Sequence, residues 1–145
     1  MNLPPADKLD TMETIQTFFD ETPQGMFLLD RRGRVHLSNS SIEQKAERSK
    51  GEMHGQSYGE ALGCIHILDH RDGCGYGSIC GDCFLHKGIK QTLKTQQPTL
   101  EIEGILALGR KDRGVIRPTL KADVVPLTHQ KRLYLVVSIV ETSEG

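Results

Sequence analysis

The chain has 145 residues, enough for one ordinary domain with its own hydrophobic core, so we expect neither two domains nor a fold that depends on disulfides. Its 18 basic and 19 acidic residues leave a formal net charge of −1, which excludes a chain-wide positive field that would attract nucleic acid or acidic lipid. The first residues lack the basic-then-apolar order of a signal peptide, and the longest apolar run, near 133–140, is too short to span a bilayer, so we expect a cytoplasmic protein.

The first predicted element is an amphipathic helix within residues 1–20, with the domain proper expected over residues 21–145. Apolar residues recur in this helix at spacings of three or four, namely Leu9, Met12, Ile15, Phe18 and Phe19. Such spacing places one apolar stripe on a helix. Two alternatives stay open for the stripe: it packs on the core of its own domain, or it pairs with a second copy in a homodimer.

A β-hairpin and a short helix are predicted next. An apolar run that begins at Gly25 leads into the turn Asp30-Arg31-Arg32-Gly33, after which polar and apolar residues alternate. Asn39 is a residue type that caps helix N-termini, so a short helix should follow it and be broken by Gly51 and Gly55. We interpret Asn39 as a cap and not as a ligand-binding residue.

The second half of the chain is predicted to hold a loop, a helix and three strands. The glycine-rich segment from residue 57 to 81 is expected to be an ordered loop, and a well-defined helix should begin near Phe84 and end before Pro98. The strands are predicted at 100–108, with a candidate β-bulge at Gly104, at 115–127 and at 132–140. This order predicts an α+β fold: a five-stranded antiparallel sheet covered on one face by short helices.

The order of three short motifs gives the sequence a family resemblance. The motifs are Asp30-x-x-Gly33-x-Val35, Asn39 and Gly55, and the three predicted strands follow them. In this order they resemble the PAS family, and the resemblance extends from about residue 20 to about residue 142. It implies a PAS-like sensory module of signal transduction, in which the helices and loops hold a ligand or cofactor against the inner face of the sheet.

The C-terminal end departs from the family pattern. Many PAS domains end in an Asp-x-Thr motif that leads to an effector, whereas here Val140 stands in the place of the Asp before Thr142. Three residues follow Thr142, so we expect the effector, such as a histidine kinase or a regulator, elsewhere in a longer protein or in a separate chain. The expected partners are this effector in cis or in trans and a second copy bound through the N-terminal helix, with neither nucleic acid nor membrane.

Four cysteines lie in one short segment with the pattern Cys64-x9-Cys74-x5-Cys80-x2-Cys83. In a reducing cytosol, cysteines gathered in this way are more typical of metal ligands or redox groups than of structural disulfides. The two-residue gap between Cys80 and Cys83 lets both sulfurs bind one ion, and the neighbouring glycines allow the tight turns that chelation needs. The pattern resembles that of a cysteine-bearing subset of bacterial PAS sensors.

These four cysteines are the predicted cofactor- and metal-binding residues. An iron–sulfur cluster, 4Fe–4S or 2Fe–2S, is the favoured cofactor because it takes four thiolates, tolerates irregular spacing and responds to oxygen or redox state. Two alternatives stay open: structural zinc in an interaction or dimerisation module, and a reversible Cys80–Cys83 disulfide. Cys64 also has a simpler interpretation as an ordinary core residue. Noncovalent haem is a further possible ligand of the domain and would need an axial histidine.

Other residues near the cysteines are assigned no catalytic or ligand role. His66, His70 and His86 flank the cysteines, but we predict none of them to be a metal ligand. Cys83 should lie at the start of the helix that begins near Phe84, where the helix dipole would favour a thiolate. No phosphate loop, nucleophile elbow or paired-carboxylate motif is found, so we expect no enzyme activity.

Overall fold

The structure is a computed structural model that describes residues 12–64, 83–110 and 114–142, with side chains from residue 15 onward. Within these residues there are five helices: α1 (Met12–Asp20), α2 (Ser40–Ala46), α3 (Lys50–Met53), α4 (Tyr58–Leu62) and α5 (Phe84–Thr95). The seven strands are β1 (Gly25–Leu29), β2 (Val35–Ser38), β3 (Thr99–Ile105), β4 (Leu108–Arg110), β5 (Gly114–Ile116), β6 (Thr119–His129) and β7 (Arg132–Glu141). None of these helices is long and apolar enough to cross a membrane.

Five of the strands form one antiparallel sheet in the order β2-β1-β7-β6-β3, while β4 and β5 pair with each other in a separate hairpin. Strand β7 lies in the centre and pairs with β1 on one side and β6 on the other. The predicted α+β fold with a five-stranded antiparallel sheet is therefore confirmed.

Alternate residues of the central strands enter two separate hydrophobic clusters, as the pleat of a β-strand requires. On the inner face, Phe27 and Val137 join the main cluster, which also contains residues from α2 to α5. On the outer face, Met26 and Val136 join a smaller cluster with α1. The sheet thus lies between two apolar clusters, one on each of its faces.

The apolar stripe of α1 packs on the outer face of the chain's own sheet. Ile15 and Phe19 are completely buried in the smaller cluster, and Phe18 is half-buried beside it. The first of the two alternatives for the stripe is therefore confirmed for Ile15 and Phe19. Leu9 and the side chain of Met12 lie outside the described part of the chain.

Asn39 holds together the elements that surround it. Its Oδ1 atom accepts hydrogen bonds from the backbone N–H groups of Ile42 and Met26, both at 3.0 Å. Its Nδ2 atom donates to the carbonyl oxygens of Phe19 at 2.9 Å and Gln24 at 2.7 Å. The predicted helix cap is confirmed, and the same side chain also ties the end of α1 to the start of β1.

The helices after Asn39 differ in one detail from the prediction. Helix α2 ends at Ala46, and the next residue, Glu47, takes the left-handed conformation with φ 58°. Helix α3 then begins with a capping box in which Ser49 and Glu52 satisfy each other's backbone N–H groups. Gly51 lies inside α3, so the prediction that it breaks the helix was wrong, because this capping box starts a new helical turn around it.

The last strands are divided more finely than predicted. The predicted strand 100–108 is divided between β3 and β4, and 115–127 is divided between β5 and β6. Arg117 and Pro118 lie between β5 and β6.

The predicted bulge at Gly104 was wrong, because Gly104 pairs in register with Leu120. The irregularity lies between Thr99 and Ile102, where Glu101 has φ 55° and its N–H donates to the Asp123 carboxylate at 2.8 Å. Glycine is needed at position 104 for another reason, since an added Cβ would overlap the ring of Phe84.

Candidate functional site

Two of the four predicted cysteine ligands, Cys64 and Cys83, lie in the described part of the chain, whereas Cys74 and Cys80 lie outside it. Both described cysteines are half-buried and pack against the main hydrophobic cluster. They stand at the two ends of the segment that carries the other two cysteines in the sequence.

Cys64 is fixed by the backbone directly after α4. Helix α4 ends with Gly63 in the left-handed conformation at φ 85°, and the Cys64 N–H donates to the Gly59 carbonyl at 2.8 Å. Cys64 also forms an isolated antiparallel bridge with Leu108 at the start of β4. The position of this thiol is therefore set both by a helix end and by a strand.

Cys83 occupies the N-cap position of α5, as predicted. Its carbonyl accepts the N–H of Lys87 at 3.0 Å, which closes the first turn of the helix. The positive end of the helix dipole lies at this turn and stabilises negative charge on a nearby thiolate or thiolate-bound group. Leu85 and Ile89 are buried in the main cluster and anchor α5 on the inner face of the sheet.

A hydrogen bond joins α4 and α5 near the two cysteines. The Tyr58 hydroxyl and the His86 Nδ1 atom are 2.8 Å apart, and the tautomer of the histidine decides which of them donates. Burial, and then the charge of Lys90, lowers the pKa of His86 below its usual value. His86 therefore favours the neutral form, in which one ring nitrogen can accept a hydrogen bond from the Tyr58 hydroxyl.

The Asp30–Gly33 turn sets the position of Tyr58. Gly33 has φ 81°, and a Cβ atom added to it would lie 3.1 Å from the Tyr58 ring, so the turn must have glycine there. The Gly33 carbonyl accepts the Tyr58 N–H at 3.0 Å. The motif that carried the family resemblance thus supports the contact between α4 and α5.

A cavity of about 510 Å³ lies on the inner face of the sheet beside Cys64. Leu62 and Leu108, which flank Cys64 through α4 and the bridge to β4, both contribute to its lining. Arg110 also lines it; its side chain is buried, donates to the Leu62 carbonyl at 3.0 Å and lies 3.7 Å from the Glu47 carboxylate. The cavity therefore combines apolar side chains with polar and charged ones of both signs, among them Lys45, Arg110 and Glu141.

The described residues contain only two of the four ligands predicted for the metal site, Cys64 and Cys83. Within residues 12–64, 83–110 and 114–142, no group of three or more His, Cys, Asp or Glu side chains could hold a metal ion. Cys64 and Cys83 can supply two thiolates, and the remaining ligands of a four-cysteine site would have to come from Cys74 and Cys80. His66 and His70 also lie outside the described residues, and His86 is engaged with Tyr58.

Comparison of the fold with known proteins identifies its class. No protein-family model matches the sequence, and no curated protein matches it. The PAS domain of Bordetella pertussis BvgS is 12% identical and has a TM-score of 0.57, with 92% of this chain and 86% of that chain covered. The PAS domain of the nitrogen regulation protein NR(II) from Vibrio parahaemolyticus is 14% identical with a TM-score of 0.58, covering 88% of this chain and 96% of that one. The chain has the PAS fold.

A Rhodobacter sphaeroides LOV protein has the same fold with 18% identity and a TM-score of 0.57, covering 90% of this chain and 66% of that chain. All three identities are so low that they bear on the fold alone. The predicted resemblance to PAS domains is confirmed at this level. The cysteine-bearing part of that prediction stays a prediction.

The sequence did not reveal two parts of this site. Arg110 lay just beyond the end of the strand predicted at 100–108, and its burial depends on α4 and on Glu47, which are distant in sequence. The pairing of Tyr58 with His86 joins residues 28 positions apart. The only signal available for it was their position on either side of the cysteine segment.

Proposed function

We propose that this PAS domain is a sensory module of signal transduction whose input is a metal centre held by Cys64, Cys74, Cys80 and Cys83. The centre proposed is an iron–sulfur cluster, 4Fe–4S or 2Fe–2S, which would report redox state or oxygen when bound. The proposal gives the domain a regulatory role in the cytoplasm and no catalytic one.

The observation that carries the proposal is the placement of Cys64 and Cys83. The two thiols lie at the ends of one segment, half-buried beside the core, and the Tyr58–His86 hydrogen bond connects the helices that present them. Four thiolates carry a large negative charge, and Cys83 at the N-terminus of α5 is the position where the helix dipole offsets it. A two-residue spacing brings Cys80 next to Cys83 in the sequence.

The path from this site to the rest of the domain runs through α5. Cys83 occupies the N-cap position of this helix, and Leu85 and Ile89 pack the helix on the inner face of the sheet. A change of charge or ligation at Cys83 would act on the first turn of α5 and from there on the sheet. The sheet in turn contacts α1 on its other face through the smaller cluster.

The partner proposed is a histidine kinase or another regulator, in cis or in trans. Solved structures with this fold include a PAS domain from a two-component sensor histidine kinase, at 9% identity and a TM-score of 0.57. A homodimer through the N-terminal helix is part of the proposal, but Ile15 and Phe19 are buried against the chain's own sheet. Such a dimer would use the remaining surface of that helix.

Anaerobic purification followed by metal analysis tests the proposal. We expect brown protein with a visible charge-transfer band and with iron and acid-labile sulfide in near-equal amounts. Cys83→Ser should abolish the band, whereas Ser78→Ala, which changes a residue between Cys74 and Cys80, should leave it intact. If Cys64→Ser also keeps the band and the iron content, Cys64 is a core residue and not a ligand.

Two other results would replace the cluster with one of its alternatives. Colourless protein with one tightly held zinc per chain would favour a structural site in an interaction module. Metal-free protein that loses two titratable thiols on mild oxidation would favour a Cys80–Cys83 disulfide switch. The oligomeric state is then compared between air-exposed and anaerobic samples, with and without chelator. This comparison shows whether oligomerisation responds to oxygen or only to removal of the metal.

A further inference from the structure

A second concave surface lies where the β1–β2 turn meets the β6–β7 turn. It is a cleft of about 360 Å³ that contains none of the described cysteines. Five basic side chains line it: Arg31, Arg32, Arg34, Lys131 and Arg132. A chain with a net charge of −1 thus has a local concentration of positive charge, which raises the local concentration of anions.

The one carboxylate in the cleft is occupied within the turn. Asp30 Oδ1 accepts the backbone N–H groups of Arg32 at 2.8 Å and Arg34 at 3.0 Å, and Oδ2 lies 3.0 Å from His36 Nε2. Burial by itself would raise the pKa of Asp30, but these hydrogen bonds outweigh it and lower the pKa. Asp30 therefore shapes the turn and stays ionised, with both of its oxygens engaged.

The basic side chains have few competing partners. Within the described residues, none of Arg31, Arg32, Lys131 and Arg132 forms an ion pair with a carboxylate. Arg34 donates one hydrogen bond from its guanidinium group to the Gly55 carbonyl at 2.9 Å, which fixes that side chain at the wall of the cleft. The remaining guanidinium N–H groups match the paired oxygens of a phosphate.

Lys131 reaches the cleft from an unfavourable backbone conformation. It forms the tight β6–β7 turn with Gln130, and the two residues have φ values of 65° and 49°. Turns of this kind favour Asn and Gly, because positive φ is costly for a residue with a longer side chain. A strained non-glycine residue that supplies a cation to a cleft points to a functional constraint on that side chain.

We propose that this cleft binds a small soluble molecule that carries a polyphosphate group. The cation count exceeds what one phosphate ion needs, and 360 Å³ is roughly twelve times the volume of a single water molecule. At its wall the ring of His36 packs edge-on at 5.5 Å against the buried ring of Tyr134, and the exposed part of the His36 ring can contact the rest of the ligand. This site is separate from the cysteines and does not depend on the metal proposed for them.

Nuclear magnetic resonance titration at constant ionic strength tests the proposal, with pyrophosphate, ATP, inorganic phosphate and adenosine as probes. We expect saturable shifts of backbone amides in residues 30–36 and 129–134 with pyrophosphate and ATP. Inorganic phosphate should bind more weakly, and adenosine should cause no saturable shift. The chain is used whole and without any change to its cysteines.

The hairpin turn offers a matched pair of variants. Lys131→Gly and Gln130→Gly both relieve a positive φ, so neither should lower the melting temperature. Only the first removes a cation, and it should weaken pyrophosphate binding roughly tenfold, the value of one charge-assisted hydrogen bond. Arg132→Gln should act in the same direction, whereas Lys94→Gln, on the exposed side of α5, should change nothing.

Three results would overturn the proposal. The first is the absence of saturable shifts with pyrophosphate and ATP up to about 10 mM. The second is an equal loss of affinity in Lys131→Gly and Lys94→Gln, which would mean that only diffuse charge attracts the anion. The third is equal affinity for inorganic phosphate and pyrophosphate, since the cleft would then hold no more than one phosphate.

Discussion

The substitution Asn39→Asp isolates the contribution of one buried amide to the whole fold. The side chain is completely buried and has the same shape in both residues. The Oδ1 atom keeps its two contacts with the N–H groups of Ile42 and Met26, so the cap of α2 survives. The Nδ2 atom, which donates to the carbonyl oxygens of Phe19 and Gln24, is replaced by an oxygen that cannot donate when ionised.

The expected cost follows from these two hydrogen bonds. Each contributes about 1 kcal/mol net, and each carbonyl left without its donor adds roughly 1 kcal/mol or more. A buried carboxylate that faces two carbonyl oxygens adds a further penalty, so the free energy of unfolding should fall by at least about 4 kcal/mol at neutral pH. By comparison, Ser49→Ala removes the more exposed cap of α3 and should cost only about 1 kcal/mol.

The pH dependence separates the lost donors from any general damage. Burial and the facing carbonyl oxygens raise the pKa of the introduced carboxyl in the folded state. A raised pKa makes the protonated form the stable one, so the deficit relative to wild type should shrink as the pH falls through that pKa. Urea denaturation of wild type, Asn39→Asp and Ser49→Ala between pH 7 and pH 4 measures this. A cost no larger than that of Ser49→Ala, or a deficit that does not change with pH, would refute the assignment.

Three further predictions concern the elements around the site. Gly33→Ala should lower the free energy of unfolding by about 1–3 kcal/mol, because φ at this position is positive and the added Cβ would press on the ring of Tyr58. Gly51→Ala, inside helix α3, should be neutral or stabilising, and urea denaturation measures both variants. Phe19→Ala should lower the free energy of unfolding by about 3–5 kcal/mol, and Phe18→Ala should lower it clearly less. Similar losses in both variants would mean that α1 is not held in place by its buried face. The stability of the wild-type protein should fall as the pH drops from about 6.5 through the lowered pKa of His86. His86→Gln removes this titrating group, so thermal denaturation of the variant should show a smaller loss of stability over the same pH range.

The sequence predicted the elements whose signals are local. The helix that begins at Phe84 was found because apolar residues recur at helical spacing, and it spans Phe84–Thr95 in the structure. The β1–β2 hairpin was found from its turn, in which Asp30 accepts two backbone N–H groups within four residues. Such hydrogen bonds depend only on neighbouring residues, so the sequence is sufficient to predict them.

Features that depend on distant contacts were not predicted. Arg110 is buried because the carbonyl of Leu62 and the carboxylate of Glu47 lie beside it. The basic cleft is formed by two turns that are about 100 residues apart in sequence, near residues 31 and 131. Neither half of the cleft is unusual in its own segment, and only the pairing of β7 with β1 brings them together.

Strand β7 connects the two proposed sites with each other. It begins at Arg132 in the basic cleft, and its alternate residues then enter both clusters. Leu135 and Val137 face the helices that carry the cysteines, while Val136 faces α1. Because both clusters are closely packed, a shift of this strand cannot be absorbed on one face without moving side chains on the other. The centre of the sheet therefore connects the proposed cysteine site, the proposed phosphate-binding cleft and the N-terminal helix.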